Sequence, residues 1–263
     1  MEGIGGEIME GLFRWMHVVA GVLWIGLLYY FNWINGVFAS KLDGETKQKA
    51  MPELLPRALY FFRWGAAFTF ISGILLLALV YYHGKQMGGD SGMDTLVQGL
   101  VVVFAGAVVY DVMWKKLQGN QPLGVGISLV LVAAIAWYLS EKANMPHRAA
   151  YIHIGALFGT CMAMNVWMRI WPAQRKIIAG IKSGEPADPS HGAMAGLRSK
   201  HNTYMSVPLI FLMISNHYPL LITKKTESGT NLGWIILVAV VAVGWLFTNW
   251  VYKKSKTDAP AQY

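Results

Sequence analysis

Five of the seven histidines fall near one level of a series of apolar segments. His17 lies near the start of the first segment, His153 near the start of the fifth, and His217 near the end of the sixth. If successive segments cross a bilayer in alternation, these three share one side. Each then lies about 6–9 Å inside, at ~1.5 Å of rise per helical residue. His83 and His147 sit at or just outside the same surface. Ionisable groups within a membrane are costly and mark functional sites. Imidazoles that converge from separate helices can hold a haem iron or another metal ion. A noncovalent haem b needs one or two neutral imidazoles and apolar walls. Two of His17, His153 and His217 could supply them, with Gly21 or Gly155 leaving room. Zinc more usually recruits acids or thiolates beside histidine, and no acid lies near this level in the segments. Copper is compatible with the ligand types. The structural alternative is a set of histidines held by hydrogen bonds in the packing.

A second group of polar residues lies in the sixth segment, RSKHNTYMSVPLIFLMISNHYP. His201, Asn202, Tyr204, Ser206, Ser215, Asn216, His217 and Tyr218 are a dense polar load for such a stretch. Pro208 and Pro219 free the carbonyls of Tyr204 and Ser215. Breaks of this kind are tolerated in a membrane where they line a cavity or are buried. A polar cavity along this segment is the expectation, with His201, Asn202, Tyr204 and Asn32 as candidate catalytic residues. Asn165 and Asp111 could join them. Asp111 can equally pair with Lys115 one turn on.

The elements that must position these groups are apolar spans. The chain has 263 residues, 55% of them hydrophobic and only 14% charged, with a mean hydropathy of +0.40. That is too apolar for an ordinary soluble domain. The spans fall at about 12–36, 59–82, 93–113, 123–140, 148–171, 203–222 and 231–252. Each is near the length that crosses a hydrocarbon core as a helix. The fold expected is an all-α integral membrane bundle of about seven transmembrane helices in one domain, residues 1–263. In the first span His17, Gly21, Trp24, Leu28, Asn32 and Asn35 share a face; in the fifth, His153, Leu157, Thr160, Met164 and Met168 do. Pro172 is expected to stop the fifth helix. The stretches 37–58 and 172–202 read as polar loops, the first with an Asp43-Gly44 turn and prolines at 52 and 56. Gly88, Gly89 and Gly92 mark a flexible loop on the other side.

Lysine and arginine set the orientation. Loops 37–58, 114–122 and 172–202 with the tail carry 14, Arg198 among them, against 5 in the opposite loops. Arg14, Arg63 and Arg169 lie at helix edges. The positive-inside rule then puts the N-terminus in the periplasm and the C-terminus in the cytoplasm of a bacterial inner membrane. The net charge of +8 sits in the loops that orientation requires, so nucleic acid is not an expected partner. The acidic start, with Glu2, Glu7 and Glu10, lacks the basic region of a signal peptide. The single Cys161 can form no internal disulfide, and no CxxCH occurs, so no covalent haem c is expected in these residues.

Three stretches carry a resemblance: HVVAGVLWIGLLYYFNWIN, NVWMRIWPAQRKI and the sixth segment, RSKHNTYMSVPLIFLMISNHYP. They resemble the membrane domain of the bacterial membrane-bound urate oxidases, the urate hydroxylase family. The resemblance implies an integral-membrane oxidoreductase that converts urate to 5-hydroxyisourate. It implies electrons leaving through cytochrome c to the respiratory chain. The motif positions are His17, Asn32, Asn165, His201, Asn202, Tyr204, His217 and Tyr218. The family joins its membrane domain to a cytochrome c domain, whereas this sequence stops at Tyr263 without one. The expectation is therefore a separate periplasmic or membrane cytochrome c as acceptor, with haem b in the bundle. The alternative is a haem-bearing or scaffold subunit working beside other respiratory-chain subunits.

Overall fold

The computed structural model describes residues 3–84, 87, 93–143, 145–185, 187–223 and 231–257. It is helical throughout, and no strand occurs among the described residues. Among the described residues, six helices are long and apolar enough to cross a membrane. They are α1 (Ile4–Lys41), α2 (Gly44–His83), α3 (Met93–Leu117), α4 (Gln121–Lys142), α5 (His147–Ser183) and, last in the chain, Gly233–Ser255. Between them lie α6 (Pro189–Ile214) and the single turn α7 (Pro219–Ile222); the last helix is α8. Helix α6 has 26 residues, about 39 Å at ~1.5 Å each. It has the length of a span but not the composition, because of the polar run His201–Ser206. The chain is a multi-pass membrane protein. The glycine loop expected at Gly88, Gly89 and Gly92, and Lys85, Lys224 and Lys225, lie outside the described residues.

The apolar cores of the spans are where the sequence puts them, but the helices run further. The stretches expected as loops at 37–58 and 172–202 are mostly helix. Asp43 starts α2 as a cap: its carboxylate accepts from the Thr46 N–H at 2.9 Å and from the Thr46 hydroxyl at 2.7 Å. Those bonds hold its carboxyl below the usual carboxylate range. Asp188 does the same for α6, accepting from the Ser190 N–H at 2.8 Å, with the same downward effect. Pro52 and Pro56 lie inside α2, in its polar first half. A proline frees a carbonyl one turn back, and on a polar, wetted stretch water can take that carbonyl. Pro172 does not end α5; it stands at the start of a fresh α turn, where its missing N–H is not needed. The helix ends instead at Gly184, whose φ of 75° is the left-handed cap that glycine adopts freely. Pro219 likewise opens α7 rather than breaking a span. The Ser215 carbonyl that it leaves accepts from the Tyr218 N–H at 2.9 Å.

Four helices each carry a stretch of wider π turns: Tyr30–Asn35, Leu77–His83, Tyr138–Lys142 and Asn165–Ile170. Such turns hold one residue more than an α turn and gather at functional sites. They re-aim the side chains beyond them. On α5 the face His153, Leu157, Thr160 is buried as expected. Within the π stretch the face rotates: Asn165 is 1% exposed and Met168 is 56% exposed.

The chain divides into two compact units. Unit one is Met1–Phe13, Gly73–Cys161 and Met205–Leu246; unit two is Arg14–Ser72, Met162–Tyr204 and Phe247–Tyr263. Both follow the membrane pattern. Val18, Val22, Val108, Val130, Leu246 and Trp250 point outward, while Ser72, His153, Asn202, Thr203, Ser206 and Thr248 are buried. Helix α5 is the most enclosed, with 78% of its apolar window buried against 17–33% for the other five. In unit two, α1 and α2 meet at Gly65. A Cβ there would lie 3.3 Å from the Ala20 oxygen and 3.3 Å from the Trp24 Cβ. Gly65→Val should therefore force α1 and α2 apart, at a cost of about 1–3 kcal/mol. The check is the melting temperature in detergent, with Gly126→Val as control, since no atom lies within 4 Å of a Cβ there. Equal melting of the two variants would refute the contact.

Candidate functional site

In unit one the chemistry gathers around His153, which is wholly buried. Its Nδ1 lies 2.7 Å from the Ala149 carbonyl oxygen. A carbonyl only accepts, so Nδ1 carries the proton, and in the neutral ring Nε2 is the acceptor. Nε2 takes its bond from the Tyr82 hydroxyl at 2.9 Å. The Leu96 carbonyl, 3.2 Å from the same hydroxyl, competes for that proton. Tyr82 reaches this place from the π stretch of α2. Gly99 of α3 makes the close approach possible: a Cβ there would lie 2.7 Å from the Tyr82 hydroxyl and 2.8 Å from His153 Nε2. Tyr81, beside it, meets the His153 ring edge to face at 6.3 Å. The Tyr81 hydroxyl accepts from Asn216 Nδ2 at 2.9 Å, and Asn216 Oδ1 accepts from Arg148 Nε at 3.2 Å. A ligand role for His153 would require Tyr82 to leave Nε2. His217 lies on the turn Ser215–His217 and is exposed, not within the helix as the sequence suggests. Its neighbour Tyr218 stacks on Phe211 at 6.4 Å. His147 and Asn231 are 3.5 Å apart. The space at Gly155 is filled, since a Cβ there would lie 2.6 Å from the Met213 methyl.

In unit two the α1 face is as expected. Trp24 and Leu28 are buried, and His17 and Asn32 lie half-buried along the same line. His17 Nδ1 is 3.1 Å from the Ser72 hydroxyl. That hydroxyl already donates to the Phe68 carbonyl at 2.6 Å, so it accepts from His17. The bond puts the His17 proton on Nδ1, so in the neutral ring Nε2 is an acceptor; a further hydrogen-bond contact of the ring runs to the Thr69 backbone. This is the tautomer of a metal-ligating histidine steadied through its other nitrogen. A Cβ at Gly21, one turn on, would lie 3.7 Å from the Thr69 methyl, in ordinary van der Waals contact.

The residues flanking the turn between α5 and α6 build a second polar array in unit two. Asn165 Nδ2 donates to Asn202 Oδ1 at 2.8 Å, and Asn202 Nδ2 donates to the Met162 carbonyl at 3.0 Å. Arg198 Nη1 donates to Asn165 Oδ1 at 3.5 Å. Asn32 donates to Ser199 Oγ at 2.8 Å and accepts from the Tyr252 hydroxyl at 2.9 Å. The Tyr252 ring stacks on Tyr204 at 5.8 Å, and Tyr204 donates to Asn249 Oδ1 at 3.3 Å. Lys200 Nζ sits 5.9 Å from the centre of each ring. Thus Arg198, Asn165 and Asn202 form one hydrogen-bonded set, and Asn32, Tyr252 and Tyr204 form another, linked by a hydrogen bond and a ring stack; His201 lies on the same helix as Asn202 and Tyr204. Arg198 is what the sequence hid. It counts there as one more loop cation, yet it is 3% exposed. The signal was its place three and four residues before His201 and Asn202, one turn along a helix.

Among the described residues no three His, Cys, Asp or Glu side chains come together as a metal site. The pairing of Asp111 with Lys115 is present at 3.1 Å.

The family model described as urate oxidase N-terminal matches residues 44–263. The chain belongs to the urate oxidase N-terminal family. Comparison with curated proteins and with solved structures gave no match. The urate oxidase match takes in His153, Asn165, Arg198, His201, Asn202, Tyr204, His217 and Tyr218, and begins after His17 and Asn32.

Tyr82→Phe should leave His153 Nε2 buried without its donor, at a cost of about 1–3 kcal/mol. Thermal melting of the variant in detergent measures it. A melt unchanged from the parent would mean that the tyrosine does not cap the histidine.

Proposed function

We propose that the protein is the membrane part of an oxidoreductase that converts urate to 5-hydroxyisourate. Family membership supports the urate chemistry, and the buried Arg198–Asn165–Asn202 array is the observation that carries the site. Urate is largely a monoanion near neutral pH and has a rim of carbonyl acceptors and N–H donors. A guanidinium gives charge and fixed donors, and the amides of Asn165 and Asn202 give both donors and acceptors. The low dielectric around buried groups strengthens each such bond. Tyr204, on the same helix as Asn202, would add an aromatic face, and His201, next to Asn202 in the sequence, would be the titratable group that exchanges a proton with the substrate. In the reaction, urate takes up the elements of water and loses two electrons and two protons.

Those electrons need a carrier. His17, its ring oriented by the Ser72 hydroxyl, would hold the iron of a haem b through Nε2. A haem b so held would supply one-electron transfer toward a separate cytochrome c. Ser72 keeps the His17 ring in its ligand tautomer, and the apolar turns of α1 keep water from it. The setting is a bacterial cytoplasmic membrane, with the acceptor on the periplasmic side.

The test is a reduced-minus-oxidised visible spectrum of the purified protein with urate as the sole reductant. The expected result is a b-type signal that urate brings up and that His17→Ala abolishes. Arg198→Gln should keep the signal but raise the urate concentration for half-reduction about ten- to a hundredfold, the loss of a charged hydrogen bond. Absence of any haem signal would remove the cofactor. A haem that urate leaves oxidised would instead make the chain an electron-carrying subunit with another donor.

A further inference from the structure

Arg63 lies one turn inside the start of the apolar stretch 59–82, and Trp171 closes the stretch 148–171. Within unit two these two ends meet. Trp167 Nε1 donates to the Arg63 carbonyl at 3.2 Å, and the Trp64 and Trp167 rings meet edge to face at 5.6 Å. The Arg63 guanidinium carbon stands 4.0 Å from the centre of the Trp171 ring and 5.6 Å from that of Tyr60. Arg175 approaches the Trp171 ring at 5.7 Å. Arg63 Nε is buried and has no hydrogen-bond partner. Around this cluster Tyr60, Phe61, Trp64 and Phe68 are 39–53% exposed.

A guanidinium stacked on an aromatic ring is held by its face, and its edge keeps its donors for an acceptor. A buried donor left unmet costs free energy, so the arrangement favours an acceptor that arrives with its own charge. The surrounding exposed rings are of the type that sits at the headgroup level. Their apolar area suits acyl chains rather than water. Two guanidinium groups favour a headgroup with net negative charge over a zwitterionic one. We propose that Arg63, stacked on Trp171 and flanked by Arg175, binds the phosphodiester of an anionic phospholipid. The lipid's phosphate takes the guanidinium edge, and its chains lie along Phe61 and Phe68. This cluster shares no residue with the Arg198 array, and the proposal does not depend on urate.

The test is native mass spectrometry of the delipidated full chain given equal phosphatidylglycerol and phosphatidylcholine. The expected result is about a tenfold preference for phosphatidylglycerol, lost in Arg63→Gln. Arg175→Gln, at an exposed position, should reduce it severalfold even if Arg63→Gln fails to fold. Arg63→Lys should also fall short, because it keeps the charge but not the fork. Lys182→Gln, away from the cluster, should retain the preference. Equal retention of both lipids by the parent, or an Arg175→Gln variant that behaves like Lys182→Gln, would overturn the proposal. So would displacement of the lipid by millimolar inorganic phosphate.

Discussion

Hydrocarbon offers no hydrogen bonds, so every polar group within the membrane must find its partner inside the protein. That constraint organises both units. Asn165 and Asn202 answer one another and the Met162 carbonyl. Asn32 reaches three partners on its own helix, α6 and α8. His153 spends both ring nitrogens. Each bond fixes a helix face, and the fixed faces leave valine, leucine and phenylalanine to the outside. The polar interior is therefore what gives the bundle a unique packing, since apolar contacts between helices gain little over apolar contacts with lipid.

The two kinds of histidine differ for a local reason. His17 rests on a hydroxyl that has already given its proton to a carbonyl. His153 rests on a carbonyl and is then capped by a tyrosine brought in by a π stretch. The same residue type leans on a half-buried hydroxyl in one place and is fastened at both nitrogens in the other.

Much of this was legible in the sequence. The apolar cores of the spans, the buried face of α1, the need of Asn32 for polar partners and the Asp111–Lys115 pair all follow from period and spacing. The helical extensions did not. Pro52, Pro56 and Pro172 read as stops, because the cost of a proline depends on whether water or a fresh turn relieves it, and sequence does not show which. The π stretches carry no composition of their own, so the burial of Asn165 in place of Met168 was hidden. Arg198 was hidden by its type: an arginine in a basic run is usually solvated, and only the helical course of α6 turns it inward. Tyr82 stands at the end of an apolar stretch, where tyrosines commonly face the headgroups, so its bond to His153 was hidden.

The π stretches also bear on how this interior could have arisen. An α-helix that acquires a single extra residue normally turns everything beyond it through about 100°, at 3.6 residues per turn. A π turn absorbs the surplus within itself. The residues before and after Tyr30–Asn35 or Asn165–Ile170 can then keep their old neighbours while one new side chain is presented to the interior. Insertion of one codon, with no other change, is thus enough to bring an amide such as that of Asn32 or Asn165 into a membrane bundle. Loss of one codon is enough to take it out again.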